Sequence, residues 1–192
     1  MKRLGYLLFA IVITIMLKGS VCAQDYTQYF TTYFSNANTA NAPDAVLRLI
    51  NDGGHLGDSD EPNLFADIYV FDDSEELTEC CSCLVTPDGL LAESVNNNLT
   101  ANPLTGIKPS RGVIKIISSS TQSATSPIAP TPGLRAWATH VQKATSGYAV
   151  TEALLADSNL APSEESLLGQ LCYFDGLLSG KPCTCTLEDQ DF

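Results

Sequence analysis

The chain has 192 residues, of which 44% are hydrophobic and 17% charged, with 10 lysines and arginines against 22 aspartates and glutamates. This length and composition are typical of one globular domain and exclude a disordered or collagen-like chain. The net charge of −12 argues against nucleic acid and anionic membrane surfaces as partners. Composition alone does not indicate an activity.

The first 23 residues have the pattern of a secretory signal peptide. Lys2 and Arg3 precede an apolar run over residues 4–17, and small residues follow up to Ala23. The run is shorter than the about 20 residues that a membrane-spanning helix needs. We therefore predict cleavage after Ala23 and a secreted protein, extracellular or at the cell surface, without a membrane span. A retained anchor and a lipidated Cys22 are the alternatives.

Residues 24–43 are predicted to form an N-terminal arm. Its aromatic residues recur at a spacing that fits a helical stripe better than strand alternation. They are Tyr26, Tyr29, Phe30, Tyr33 and Phe34. The arm either covers an edge of its own domain, the commoner arrangement for a terminus, or docks on other copies of the chain and builds a filament.

Residues 44–192 are predicted to form one β-rich domain. Short runs of β-branched and aromatic residues alternate with turns rich in Gly, Pro, Asn and Asp, a pattern typical of an antiparallel sandwich. Strands are predicted over residues 46–50, 64–71, 77–85, 90–95, 113–117, 134–141 and 148–155. The expected fold is an immunoglobulin-like β-sandwich of about seven strands.

The segments between these strands carry further signals. The turn of residues 86–89, Thr-Pro-Asp-Gly, predicts a hairpin between its flanking strands, with Gly89 in the positive-φ position. The Ser/Thr/Pro-rich residues 118–133 predict a loop. Near the C-terminus, Pro162 and the acids after it predict the start of a helix. The apolar stripe of that helix consists of Leu167, Leu168, Leu171, Cys172 and Leu178.

Six cysteines remain after signal cleavage: Cys80, Cys81, Cys83, Cys172, Cys183 and Cys185. An even number in an exported protein predicts disulfides, with fifteen possible pairings. In one arrangement the two Cys-x-Cys pairs cross-link their segments twice, and Cys80 pairs with Cys172. The alternative is a four-thiolate metal site, although zinc sites usually separate their cysteines by two to four residues.

One acidic loop is a candidate calcium site. Asp58, Asp60 and Glu61 alternate with small residues, and calcium prefers clustered oxygens on a flexible turn. The loop departs from the EF-hand pattern, so a solvated acidic turn is the alternative. A second acidic cluster, residues 72–76, either binds a cation or caps a strand. No other cofactor is expected.

No pattern identifies a catalytic site. His55 and His140 each stand apart from any metal-binding or nucleophile motif. A glycosidase needs two carboxylates beside a cleft, and 22 acids do not single out such a pair. Trp137 is a candidate for stacking on a sugar, although a single Trp in a strand is usually core. Asn98 begins a glycosylation sequon.

Several motifs resemble an exported bacterial family that is frequent in acidobacteria. They are Ile68-Tyr69-Val70-Phe71-Asp72, Glu79-Cys80-Cys81-Ser82-Cys83, Thr86-Pro87-Asp88-Gly89-Leu90, Asn102-Pro103-Leu104-Thr105-Gly106, Gly112-Val113-Ile114-Lys115 and Cys183-Thr184-Cys185. The resemblance covers residues 45–120 and 165–185. It implies secretion and a shared β-rich domain, and it implies no activity.

These observations predict a secreted, non-catalytic module of the cell surface or extracellular matrix. In one version, it is a subunit of an extracellular filament that assembles with copies of itself through the N-terminal arm. The alternatives are a calcium- or carbohydrate-binding module and, less favoured, a secreted hydrolase with an unrecognised site.

Overall fold

The computed structural model describes residues 29–53, 63–179 and 183–186. The predicted signal peptide, Tyr26, His55 and the candidate calcium loop with Asp58, Asp60 and Glu61 lie outside these ranges. No helix of the described residues is long and apolar enough to cross a membrane.

The described chain forms two four-stranded antiparallel sheets and a C-terminal helix. The elements are β1 (Tyr29–Ser35), β2 (Val46–Asn51), β3 (Leu64–Asp72), β4 (Leu77–Val85), β5 (Leu90–Ser94), a π-helical turn (Val95–Leu99), β6 (Arg111–Ser119), β7 (Leu134–Lys143), β8 (Tyr148–Leu154) and α1 (Pro162–Ser179). Sheet A has the order β1-β6-β3-β4, and sheet B has the order β5-β2-β7-β8. The predicted β-sandwich with one C-terminal helix is confirmed, with eight strands in the described part.

The additional strand is β1, and the helical interpretation of the N-terminal aromatic residues is wrong. β1 pairs with β6 in continuous register from Tyr29 to Ser35. Phe30 and Phe34 are both buried in the core. Residues four apart share a face in a helix and in a strand, so their spacing does not separate the two. Thr32, between them, is buried as well, as a strand requires.

The turn at residues 86–89 connects the two sheets, so the predicted hairpin is wrong. β4 pairs with β3 in sheet A, whereas β5 pairs with β2 in sheet B. The positive φ falls on Asp88, at 58°, and not on Gly89. The Asp88 amide donates to the Asn51 carbonyl at 3.1 Å. The crossing is therefore anchored on the end of β2.

Two apolar clusters stabilise the fold. The larger lies between the sheets and includes Phe30, Leu47, Leu49, Ile68, Ile116 and Leu134. The smaller lies on the outer face of sheet A and includes Tyr69, Ile117, Ala124, Ile128, Leu168 and Cys172. Residues 118–133, predicted as a loop, thus cover this face of sheet A together with α1. The Tyr69 hydroxyl holds them there by donating to the Ala124 carbonyl at 2.9 Å.

The apolar stripe predicted for α1 is divided between two environments. Leu168 and Cys172 are buried against sheet A, and Leu171 packs partly against the same cluster. Leu167 and Leu178 are 48% and 74% exposed, so their prediction as packing residues is wrong. Leu168 and Cys172 are one helical turn apart, so the side of the helix that they share faces the sheet. Leu167 and Leu178 lie on the side of the helix next to it, which faces solvent.

Substitution by alanine is expected to have opposite effects on stability at two glycines of α1. A Cβ at Gly169 would lie 2.7 Å from the Ser126 backbone nitrogen, whereas a Cβ at Gly176 meets nothing within 4 Å. Alanine is favoured over glycine in helices by about 1 kcal/mol, and overpacking costs roughly 1–3 kcal/mol. We expect Gly176→Ala to raise the melting temperature and Gly169→Ala to lower it. Thermal unfolding measures both, and an increase for Gly169→Ala would contradict the close packing of α1 on the loop.

Candidate functional site

Three disulfides connect strand β4 to the C-terminal part of the chain. They join Cys80 to Cys172, Cys81 to Cys183, and Cys83 to Cys185. This is the pairing expected when two Cys-x-Cys segments cross-link twice, and the disulfide prediction is confirmed.

The alternation of side chains between the two faces of β4 explains which C-terminal segments its cysteines are bonded to. Cys81 and Cys83 face the core between the sheets, whereas Cys80 faces the cluster beneath α1. The sulfurs of Cys81 and Cys83 are 3.7 Å apart, and Cys185 joins them within 4.8 Å. A four-thiolate site would use the same atoms, but each of these sulfurs is bonded to another sulfur in the structure.

The residues 183–186, here called the C-terminal strap, close one side of the sandwich. The Cys183 amide donates to the Cys80 carbonyl of β4 at 3.3 Å. At the other end, the Thr186 hydroxyl donates to the Ala92 carbonyl of β5 at 3.0 Å, and its amide donates to Glu93 Oε1 at 2.8 Å. The strap therefore covers the edge strands of both sheets on this side.

Three carboxyl groups are fully buried, which sequence reasoning did not detect. Burial raises the pKa of Asp67 to about 8, that of Glu79 to about 7 and that of Glu93 to about 6. Hydrogen bonds to the carboxylate lower these values in part: the Ser82 hydroxyl donates to Asp67 at 2.5 Å, and the Asn102 amide donates to Glu79 at 2.6 Å. A catalytic acid must reach its substrate, so full burial argues against catalysis by these groups.

At the other edge of sheet A, contacts between β1 and β7 hold the two sheets together. The Tyr33 and His140 rings stack with centroids 4.3 Å apart, and Thr32 Oγ1 lies 3.0 Å from His140 Nε2. The Ser35 hydroxyl donates to the Val141 carbonyl at 2.6 Å. Partial burial lowers the pKa of His140. His140 is therefore a packing residue at this junction.

The predicted assembly residues are mostly committed to the chain's own fold. Tyr29, Phe30 and Phe34 are buried, whereas Tyr33 is 44% exposed. The Tyr29 carbonyl accepts the Ser158 amide at 2.7 Å. β1 thus occupies the position that the self-covering alternative expects. Assembly through this arm remains a prediction that would require β1 to leave its sheet.

Strand β8 has the least covered edge in the described structure. It pairs with β7 over seven residues, and every residue from Ala149 to Leu154 is exposed. Val150 and Leu154 are 52% and 60% exposed. Within the described ranges no backbone group pairs with its outer side.

Trp137 lies on the side of β7 that faces away from the core. Leu134, Ala136 and Ala138 belong to the core, so Trp137 points to the opposite side of the sheet. It is partly exposed, opposite Arg48 on one neighbouring strand and Leu154 on the other. The expectation of a core tryptophan is therefore wrong, and Trp137 remains the candidate for the carbohydrate-binding alternative.

Two other features singled out in the sequence have structural roles. Asp72 Oδ1 accepts the amides of Ser74 and Glu76 at 2.8 and 3.1 Å, which closes the turn after β3. Asn98, in the glycosylation sequon, is buried, and its Oδ1 accepts the Ser94 amide at 2.9 Å. The strand-capping alternative thus accounts for the acidic cluster, of which Asp73 also pairs with Arg111.

Two of the pockets on the described surface have volumes of about 220 and 320 Å³. The larger lies beside the Cys80–Cys172 bond, and the smaller lies near Arg135 and Leu154. Neither is lined by a histidine. They are near the lower end of the sizes typical of ligand sites, and they hold no recognisable pair of nucleophile and base.

Comparison with known proteins identifies no family. No protein-family model matches the chain, and no curated protein matches it. Among solved structures, one similar fold is described as "Crystal Structure of Thermotoga maritima 1070". It has a TM-score of 0.43 and 11% sequence identity, with 70% of this chain and 95% of that chain covered.

Proposed function

We propose that this chain is a secreted, non-catalytic module of the cell surface or extracellular matrix that serves as a subunit of an extracellular assembly. The observation that carries this proposal is the uneven covering of the sheet edges. β1 is bonded at its first residue by Ser158, β4 is bonded by Leu104 and Cys183, and β5 is bonded by Thr186, whereas the outer side of β8 has no such contact within the described ranges. Exposed edges promote association, and monomeric proteins usually block them.

The disulfides support a location outside the cytoplasm. All three join β4 to segments about a hundred positions later, with sequence separations of 92, 102 and 102. Such bonds persist in oxidising compartments and are rare in the cytosol. The signal-peptide pattern of residues 1–23 supports the same location.

The polar groups support a structural role over a catalytic one. The three carboxyls with the most perturbed pKa values, Asp67, Glu79 and Glu93, are buried without contact with solvent. His140 is occupied by Tyr33 and Thr32. Groups that solvent does not reach cannot contact a substrate, so their perturbed pKa values reflect burial in the fold.

The proposal predicts that the mature protein associates. The chain beginning at Gln24, produced with its disulfides formed, is expected to increase in mass with concentration in size-exclusion chromatography with light scattering. Negative-stain microscopy then shows whether the assemblies are closed or filamentous. A monomer throughout the micromolar to millimolar range would contradict the assembly proposal.

A further inference from the structure

We propose that β8 is the contact surface between copies, and that it pairs antiparallel with β8 of a second copy. This would join two B sheets into one continuous eight-stranded sheet. The inference rests on the proposed function and adds to it the surface and the partner.

Strand β8 lacks the features that block an exposed edge. Protected edges carry lysines, prolines or bulges, or are short. β8 has seven residues, Tyr-Ala-Val-Thr-Glu-Ala-Leu, with one charged side chain and no proline or glycine. Its register with β7 is unbroken over all seven pairs, so the strand is regular and ready to accept a further strand.

The distribution of charge favours a second copy as the partner of β8. The chain has a net charge of −12, so most surfaces of two copies repel each other. The only charged residue of β8, Glu152, forms an ion pair with Arg48 of β2. The β8 edge is therefore a locally neutral surface on an acidic protein, where two copies approach with little electrostatic cost.

The sequence of β8 is compatible with two-fold pairing. A two-fold contact places the same patch of each copy against the other. In the antiparallel register centred on Thr151, Tyr148 faces Leu154 at both ends, Ala149 faces Ala153, and Val150 faces Glu152. Aromatic–aliphatic cross-strand pairs stabilise sheets, and no like charges are directly opposed in this register.

The alternative to a two-fold contact is that the N-terminal part of a neighbouring copy supplies the strand that pairs with β8. β1 already pairs with β6 in its own chain, and its first residue is held by Ser158. Only residues 24–28 of the predicted mature arm precede it. A two-fold β8 contact needs no strand to leave its own sheet.

The test compares Val150→Glu with Ile107→Glu in the mature, oxidised chain. Val150 is 52% exposed on β8, and Ile107 is 74% exposed in the loop before β6, so each adds one charge at an exposed apolar position. In the two-fold register, Val150→Glu places a carboxylate opposite Glu152 of the second copy, and like charges directly opposed destabilise a sheet. We expect Val150→Glu to raise the dimer dissociation constant at least tenfold, with an unchanged melting temperature of the monomer. Ile107→Glu is expected to associate like the unmodified chain.

Hydrogen exchange locates the contact independently of any variant. Amides of residues 148–154 are expected to exchange more slowly at concentrations where the protein is associated. If the unmodified chain associates but Val150→Glu associates equally and β8 gains no protection, the inference is wrong while the proposed function stands. Loss of association in Leu178→Lys alone would place the contact on α1, and its loss on deletion of residues 24–28 alone would place it on the arm. If the unmodified chain does not associate, both proposals fail.

Discussion

Reduction of the three disulfides is expected to unfold the protein at 25 °C. The Cys80–Cys172 bond spans 92 positions, and closing a loop of about 100 residues contributes roughly 4.7 kcal/mol in the chain-entropy model. A second bond then closes a much shorter loop, and a loop of about 15 residues contributes roughly 3 kcal/mol. Their sum is comparable to the whole stability of a typical domain, which is about 5–15 kcal/mol.

The two bonds of the C-terminal strap should be partly redundant. Cys81–Cys183 and Cys83–Cys185 lie side by side, so either one alone keeps the strap on β4. Replacing one pair with alanine is expected to cost about 2 kcal/mol, because only a loop of about six residues opens. Replacing both pairs is expected to cost about 5 kcal/mol, since the longer loop to the Cys80–Cys172 bond then opens as well.

Urea unfolding of the single-pair and double-pair variants, followed by far-ultraviolet circular dichroism, measures these costs. The reduced protein should lack the cooperative transition of the oxidised protein. An unchanged melting temperature after full reduction would show that the core alone maintains the fold.

Stability is expected to fall as the pH rises from 5 to 8. In the unfolded chain the carboxyls of Asp67, Glu79 and Glu93 return to ordinary pKa values of 3.8 and 4.5, whereas in the folded chain these values are about 8, 7 and 6. At a pH between the unfolded and the folded pKa values of these carboxyls, the folded state binds more protons than the unfolded state. Stability therefore decreases with increasing pH in this window, and is greatest on its acidic side.

These three pKa values together predict a decrease in melting temperature on the order of 20 °C between pH 5 and pH 8. Asp67→Asn removes one buried ionisable group, so its melting temperature should depend less on pH and exceed that of the unmodified chain at pH 8. Asp73→Asn is the matched surface control, since Asp73 is exposed and pairs with Arg111, and it should leave the pH slope unchanged. A melting temperature that increases from pH 5 to pH 8 would contradict the burial of these carboxyls.

The sequence pattern predicted the features that depend on local chemistry. Strands β2, β3, β4, β6, β7 and β8 each have the β-branched or aromatic runs expected of a strand, and α1 begins at Pro162 as its acidic first turn indicates. Alternation along β4 also indicates that Cys81 and Cys83 share a face, but which partner each takes comes from the structure.

The features that the sequence did not predict depend on contacts between distant segments. The spacing of Phe30 and Phe34 is compatible with a strand and a helix, and only pairing with β6 distinguishes them. The turn before β5 has ordinary turn chemistry, which does not specify the sheet that the next strand joins. Glutamate is usually a surface residue. Glu93 is nevertheless buried, because the C-terminal strap, which follows it by nearly a hundred residues in the chain, covers it.

The mass of the unreduced mature protein, recovered from outside the cells that make it and treated with an alkylating agent, tests whether the chain is secreted and disulfide-bonded. We predict a chain that begins at Gln24, carries no alkyl group and gains six hydrogens on reduction, with linked peptides for the three pairs from Cys80, Cys81 and Cys83. A protein retained inside the cells, with an uncleaved N-terminus and all seven cysteines alkylated, would contradict the proposal of a secreted, disulfide-bonded module.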